Sequence, residues 1–280
     1  MGLNATFVTI EVGVGLWSHS LALLADAGHN LADVLSLLLA WGAVVLSRRQ
    51  PSVKRTYGLR KATILASLSN GALLMIAVGV IGWESVHRLM NPTPVAAWPM
   101  LLTAAIGVVI NSATAMMFMH NDHDLNARGA FLHMLTDAAV SAAVVLGGVV
   151  MLVTGGFSWL DPVLGLGIVV VILAGTWGLL RDSANMALDG VPPGIDMHKV
   201  STWLTTQPGV TSVHDLHVWA MSTTETALTA HVARPDNADQ DAFLARARDE
   251  LKAKFGIDHC TLQIESQPGA SCPLYADPAA

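Results

Sequence analysis

Residues 29–33 read His29-Asn30-Leu31-Ala32-Asp33, inside an apolar run that extends from Leu21 to Leu46. That run exceeds the ~20 residues a helix needs to cross a bilayer. A histidine and an aspartate four residues apart lie on one face of a helix. Both are costly in hydrocarbon, so an intramembrane pair of this kind marks a functional site. The pattern returns as His133-Met134-Leu135-Thr136-Asp137, again within an apolar run. Two imidazoles and two carboxylates make up the donor set of one tetrahedral Zn²⁺ site. A single H-x-x-x-D pair is equally well read as a hydrogen bond that holds helices together. Two pairs at matched depth on different helices point instead to a metal ion.

Composition supports a membrane reading, with 52% apolar and 13% charged residues in a chain of 280. The charges gather in two short loops and in the C-terminal third, so the net charge of −6 averages two solvents. No long basic face with interleaved aromatics suggests nucleic acid. Cys260 and Cys272 fit no disulfide framework. The N-terminus lacks a basic n-region and a convincing cleavage site, and reads as the first span rather than a signal peptide.

Six spans are expected. Leu3–Trp17 is short and is expected to run on through Ser18-His19-Ser20 or to begin at Met1. The others are Leu21–Leu46, Ala62–Trp83, Trp98–Met119, Gly129–Val153 and Pro162–Leu180. An even number of spans puts both termini on one side. The stretch Arg48-Arg49-Gln50-Pro51-Ser52-Val53-Lys54-Arg55, followed by Arg60 and Lys61, makes that side cytoplasmic by the positive-inside rule, and Arg128 and Arg181 agree. Trp17, Trp98 and Trp159 then fall at the opposite interface, as an aromatic belt would. At 1.5 Å per residue, His29 and Asp33 lie roughly 13 and 20 Å below the outer face. Asp137 and His133 lie roughly 16 and 22 Å below it, so the two pairs overlap near the midplane. Three spans with one pair followed by three inverted spans with the other suggest an inverted repeat.

The soluble part follows the turn Asp189-Gly190-Val191-Pro192-Pro193-Gly194. A helix is expected over Met197–Thr206, strands over Ser212–Trp219 and Glu225–Ala233, an amphipathic helix over Gln240–Phe255 and a strand over Cys260–Glu265. That order, α-β-β-α-β, is a small α+β domain. The expected organisation is a six-helix transmembrane domain over 1–182, a linker over 183–194, a cytoplasmic C-terminal α+β domain over 195–268 and a tail over 269–280.

Other polar residues have plainer readings. Asp26 shares the helical face of His29 and Asp33 and is read as structural, near the outer mouth. Glu11 is either a proton site or a helix-packing group. Asn70 and Asn111 are expected to hydrogen-bond between helices. The loop His120-Asn121-Asp122-His123-Asp124 reads as a solvated loop. Strand alternation places His231 with Ala227 and Thr229, away from Leu228 and Val232, and puts His217 on the face opposite His214. Four protein ligands leave no open coordination position, which favours carrying the ion over activating water on it. No H-E-x-x-H motif supports a hydrolase, and the chain is not expected to be an enzyme. A channel would want weak, repeated sites. A membrane-anchored metal sensor leaves the buried tetrad unexplained, but stays open as the alternative. Because ligand type ranks zinc, cobalt, nickel and cadmium only loosely, cobalt, cadmium or nickel as the main ion stays open too.

Several stretches are similar to the cation diffusion facilitator family. They are Ser20–Asp33 (SLALLADAGHNLAD), Arg55-Thr56-Tyr57-Gly58-Leu59-Arg60, Leu125–Asp137 (LNARGAFLHMLTD) and Val213-His214-Asp215-Leu216-His217-Val218-Trp219. The resemblance covers nearly the whole chain. It implies a homodimeric metal/proton antiporter in the lipid bilayer, with a metallochaperone-like C-terminal domain and a place in metal resistance. For this chain the expected setting is the cytoplasmic (inner) membrane of a bacterium, with both termini cytoplasmic. H-x-x-x-D on both spans is the form associated with zinc, with Zn²⁺ as transported and regulatory ion and protons as counter-ion. By position, the transport ligands are His29, Asp33, His133 and Asp137. His214, His231 and Glu265 match metal-binding positions near the family's cytoplasmic dimer interface, with His259 and Cys272 as further candidates; surface or core histidines remain the plain alternative there. Some members carry a histidine metal site in the loop before span three. Here Arg55 and Leu59 stand at those places and cannot bind metal, and Thr63 stands where many members have Glu.

Overall fold

The computed structural model describes residues 2–118, 125–155, 157–235 and 239–266. The loop 120–124, read above as solvated, and Cys272, a further metal candidate, lie outside the described residues. Six helices come first: α1 (Gly2–Ser18), α2 (Leu21–Ser47), α3 (Ala62–Met90), α4 (Ala97–Phe118), α5 (Leu125–Thr154) and α6 (Leu160–Ala187). Helices α2–α6 are long and apolar enough to cross a bilayer, and α1 is a shorter apolar helix. Large apolar side chains such as Trp41, Val80, Trp83, Val109 and Val153 face outward. Such a surface suits lipid, where helices satisfy every backbone polar group internally.

The chain forms two compact units, 1–39 with 69–179 and 40–68 with 180–280. The first is organised around a core of Leu23, Leu74, Val78, Met100, Val144 and Ile168, among others. Small residues let its helices approach. Gly148 of α5 lies against Met100 and Leu101 of α4, and the adjacent Gly147 lies against Leu164 of α6. A Cβ at Gly147 would displace the end of Leu164 and one at Gly148 would press on Met100 and Leu101, close approach of the kind membrane helices make through small residues.

Helix α1 stops at Ser18 instead of running through residues 18–20. His19 adopts φ 56°, left-handed backbone that breaks the helix, and Arg88 of α3 donates to its carbonyl. The start of α2 is then capped from another helix. Asp161, wholly buried in the first turn of α6, accepts hydrogen bonds from Leu21 N (2.7 Å), Ala22 N (3.2 Å) and Ser20 Oγ. These amides are among the four that a helix N-terminus leaves without intrahelical partners. A buried carboxylate there also answers the positive end of the helix dipole.

The second unit contains the small α+β domain: α7 (Met197–Thr205), β1 (Ser212–Ala220), β2 (Thr226–Ala233), α8 (Gln240–Phe255) and β3 (Ile257–Glu265). The sheet order is β1-β2-β3, with β2 antiparallel to β1 and parallel to β3. Parallel pairing requires a crossover, which α8 supplies. Val200 and Leu204 of α7 and Leu251 of α8 pack on Val218, Leu228 and Ile257 of the sheet. Asp196 caps α7 by accepting from the amides of Lys199 and His198, which holds its carboxyl below the usual carboxylate range. Gly256 closes α8 at φ 68°, a conformation that favours glycine.

Asp161→Ala leaves three donors without an acceptor and should cost about 2–3 kcal/mol, while Asp161→Asn keeps an acceptor and should lose less. Thermal unfolding of the purified protein in detergent, followed by tryptophan fluorescence, checks this. Wild-type stability in the alanine variant would remove Asp161 from the capping role.

Candidate metal centres

The four residues singled out on the two apolar runs converge. Their ligand atoms all lie within 4.8 Å of one another. The shortest contacts run between helices rather than along them. His29 Nε2 lies 3.2 Å from Asp137 Oδ1, and His133 Nε2 lies 3.0 Å from Asp33 Oδ2. The intrahelical distances are longer, 3.9 Å for His29–Asp33 and 3.6 Å for His133–Asp137. A tetrahedral zinc with ligands near 2.0–2.1 Å has edges of about 3.3 Å. All four distances fall close to that edge. Asp137 is 1% exposed, and its Oδ2 makes no hydrogen bond among the described residues; neither does His29 Nδ1. A buried carboxyl oxygen left in this state needs a proton, a water or a cation beside it.

Polar groups flank the tetrad. Asn30 Nδ2 donates to Glu11 Oε2 at 3.0 Å, and Ser141 Oγ donates to Asp26 Oδ2 at 2.8 Å. Glu11 and Asp26 are fully buried, and each keeps one oxygen without a hydrogen-bond partner among the described residues. A cavity of about 420 Å³ reaches Asp33 and His133, lined also by Val34 and Leu37 of α2 and Ile110 of α4. Its α2 lining lies from Asn30 to Leu37, toward the C-terminal end of that helix. In the other direction Ala22, Leu23, Ala25, Asp26 and Ala27 are all buried. Asn111, expected to bond between helices, lines this cavity, and its Nδ2 has no partner among the described residues.

A second group forms in the small domain. His214 Nε2 lies 3.3 Å from Glu265 Oε2, and His231 Nδ1 lies 3.0 Å from Glu265 Oε1. The pairing explains it: β1 places His214 opposite His231, and β2 places Ala233, two residues on, opposite Glu265. The expected separation of His217 from His214 is wrong. A bulge between them, with Asp215 at φ 50°, sets His217 opposite Thr229, so both histidines share a face. A bulge adds one residue to a strand and breaks simple alternation. Asp215 was not singled out by the sequence, yet it lies 2.8 Å from His217 Nε2 and 3.5 Å from His231 Nε2. Its signal was an acid between histidines in H-D-L-H, but the turn in the backbone is invisible in strand propensity. His259 is not part of the group; its ring meets that of Tyr57 at 5.7 Å. Burial pushes the Cys260 thiol up to about 11, so it stays protonated at neutral pH and is a poor ligand.

Membrane-length helices with buried ionisable groups between them, joined to a small α+β domain, define a multi-span membrane protein with an appended soluble domain. Residues 1–186 match the cation efflux transmembrane domain, and residues 192–267 match the cation efflux protein cytoplasmic domain. The chain belongs to this cation efflux family, the cation diffusion facilitators. It is 35% identical to the zinc transporter ZitB of Escherichia coli (strain K12) over 278 residues, 98% of this chain and 88% of the relative. Identity to the cation efflux system protein CzcD of Alcaligenes sp. (strain CT14) is 34%, over 96% of this chain and 85% of that one. The cadmium, cobalt and zinc/H⁺–K⁺ antiporter of Bacillus subtilis (strain 168) is 32% identical over 93% and 85%. Among solved structures, the metal-bound C-terminal domain of the CzcD transporter from Cupriavidus metallidurans is 36% identical. It covers 25% of this chain and 99% of that domain, with a TM-score of 0.24.

The two groups share no ligand, so their losses should be separable. Zinc titration of the full-length protein should show two classes of site. Asp137→Ala should remove one class and His231→Ala the other, each weakening its own class by about 100-fold or more. Loss of both classes in either variant would contradict independent sites.

Proposed function

We propose that this protein exports divalent metal cations, Zn²⁺ foremost, across the cytoplasmic membrane of a bacterium in exchange for protons. His29, Asp33, His133 and Asp137 hold the ion during transport. The observation that carries this reading is the set of four N/O distances near a tetrahedral edge, on helices that cross the membrane. Imidazole and carboxylate bind protons in competition with metal. One site can therefore take up zinc on one side of the membrane and release it to protons on the other. The cavity at Asp33 and His133 is lined by α2 residues toward the helix end read as cytoplasmic, which supports a conformation that receives the ion from the cytoplasm. Conversion to the opposite state would open the buried side around Asp26 and close this cavity.

Zinc is preferred because two imidazoles and two carboxylates satisfy it without an open position. The names of the relatives support the reading, one being a zinc transporter and another an antiporter for cadmium, cobalt and zinc with H⁺. Cobalt and cadmium are accordingly secondary substrates. The protein acts as a homodimer with both termini cytoplasmic. His214, His231 and Glu265, with Asp215 beside them, bind a regulatory metal whose occupancy tightens the dimer.

Inside-out vesicles with an imposed pH gradient, acid inside, should accumulate ⁶⁵Zn²⁺. Asp33→Ala should lower the initial rate by about 10–100-fold, and collapsing the gradient should do the same to the intact protein. Uptake indifferent to the pH gradient would favour a channel. Zinc binding without uptake would favour a sensor.

A further inference from the structure

Residues 48–61, which join α2 to α3, contain six cations and no acid: Arg48, Arg49, Lys54, Arg55, Arg60 and Lys61. Two are neutralised within the same unit. Arg60 Nη1 lies 2.8 Å from Glu225 Oε2, and Lys61 Nζ lies 2.5 Å from Asp189 Oδ1. The other four have no ion-pair partner among the described residues. The loop is also built rather than loose. Ser52 and Arg55 exchange backbone hydrogen bonds of 3.0 and 2.9 Å, which puts Val53 and Lys54 at the tip of a tight turn. Gly58 follows at φ 71°, where an added Cβ would come within 3.0 Å of the Arg49 carbonyl.

Two features of this loop suit a lipid rather than a soluble anion. Val53 is 100% exposed, an apolar side chain held out beside Lys54 with nothing among the described residues to cover it. Behind the tip lies a cavity of about 420 Å³ with Lys54 and Arg55 on its lining, together with Tyr57, Leu65, Trp219 and Met221. Leu65 belongs to the first turns of α3, a helix that crosses the membrane, and is 55% exposed. The cavity therefore combines cations and an apolar wall at the point where a spanning helix begins. A free anion uses only the cations, whereas a phospholipid uses both. We propose that this cavity seats one anionic phospholipid of the adjacent leaflet. Lys54 and Arg55 receive the headgroup phosphate, the acyl chains lie along Leu65, and Val53 enters the interface.

The test is retention of defined lipids by the purified full-length protein. Detergent-solubilised protein is given palmitoyl-oleoyl phosphatidylglycerol or phosphatidylcholine, and bound lipid is read by native mass spectrometry. Phosphatidylglycerol should be retained over phosphatidylcholine, and Lys54→Gln with Arg55→Gln should reduce that retention about thirtyfold. Val53→Asp, at a site with no packing to lose, should also reduce it. Arg48→Gln with Arg49→Gln, which lie on a different cavity, should leave it nearly unchanged. Equal retention of the two lipids would overturn the proposal. So would equal loss in the two arginine-containing double variants, which would mean diffuse charge attraction. Displacement by millimolar inorganic phosphate would assign the cavity to a soluble anion and equally overturn it.

Discussion

Two histidines and two aspartates on membrane-spanning helices have to compensate one another or a bound ion, because hydrocarbon solvates neither charge. The chain resolves this by crossing the pairs. Each histidine lies nearer the aspartate of the other helix than the one on its own, so α2 and α5 form a single site instead of two local ones. Such a site depends on the axial position of each helix, since a shift of one residue moves a ligand by about 1.5 Å. Asp161 supplies that constraint for α2, fixing its first turn from α6 eight residues before His29. The Ser141–Asp26 hydrogen bond then links α5 to α2 one turn from His29.

Exposure around the site is uneven. Asp137 is buried, whereas the side chains of His133 and Asp33 are 43% and 35% exposed and border the cavity. An ion arriving by that route meets Asp33 and His133 before Asp137. A carboxylate kept dry binds a cation more strongly and has a higher cost when left empty. Metal and protons are then alternative ways of neutralising the same group. The second group, in the small domain, draws on the same donor types from a sheet face, with His214, His231 and Glu265 brought together by strand pairing. His217, 59% exposed, lies beside it through Asp215.

The spans, the order of the soluble elements and the tetrad were legible in the sequence. Apolar run length sets the first, periodicity the second, and a pair of H-x-x-x-D motifs in costly surroundings the third. What the sequence concealed has local physical causes. Helix α3 continues past Trp83 to Met90 because Arg88 pairs with Glu84 one turn away at 2.9 Å, which lets charged residues stay helical beyond the apolar run. Strand β3 starts at Ile257, before the expected Cys260, because β2 offers a parallel edge to Ile257 and His259, across an irregularity at Asp258 that the residue pattern does not mark. The bulge at Asp215 depends on backbone conformation rather than on residue pattern, and it reversed the predicted face of His217. Asp161, just before the expected sixth span, carries no sequence signal of its capping role, since its partners lie some 140 residues away.

Transport through the tetrad requires zinc within the bundle to be held by two nitrogens and two oxygens. Zinc K-edge X-ray absorption on the full-length His231→Ala protein, loaded with one equivalent of zinc, measures this directly. The expected result is four-coordinate zinc with N/O ligands at about 2.0–2.1 Å, no sulfur shell, and imidazole scattering from two histidines that falls by half in a further His29→Ala variant. A six-coordinate oxygen shell, or a zinc spectrum unchanged by loss of His29, would contradict it.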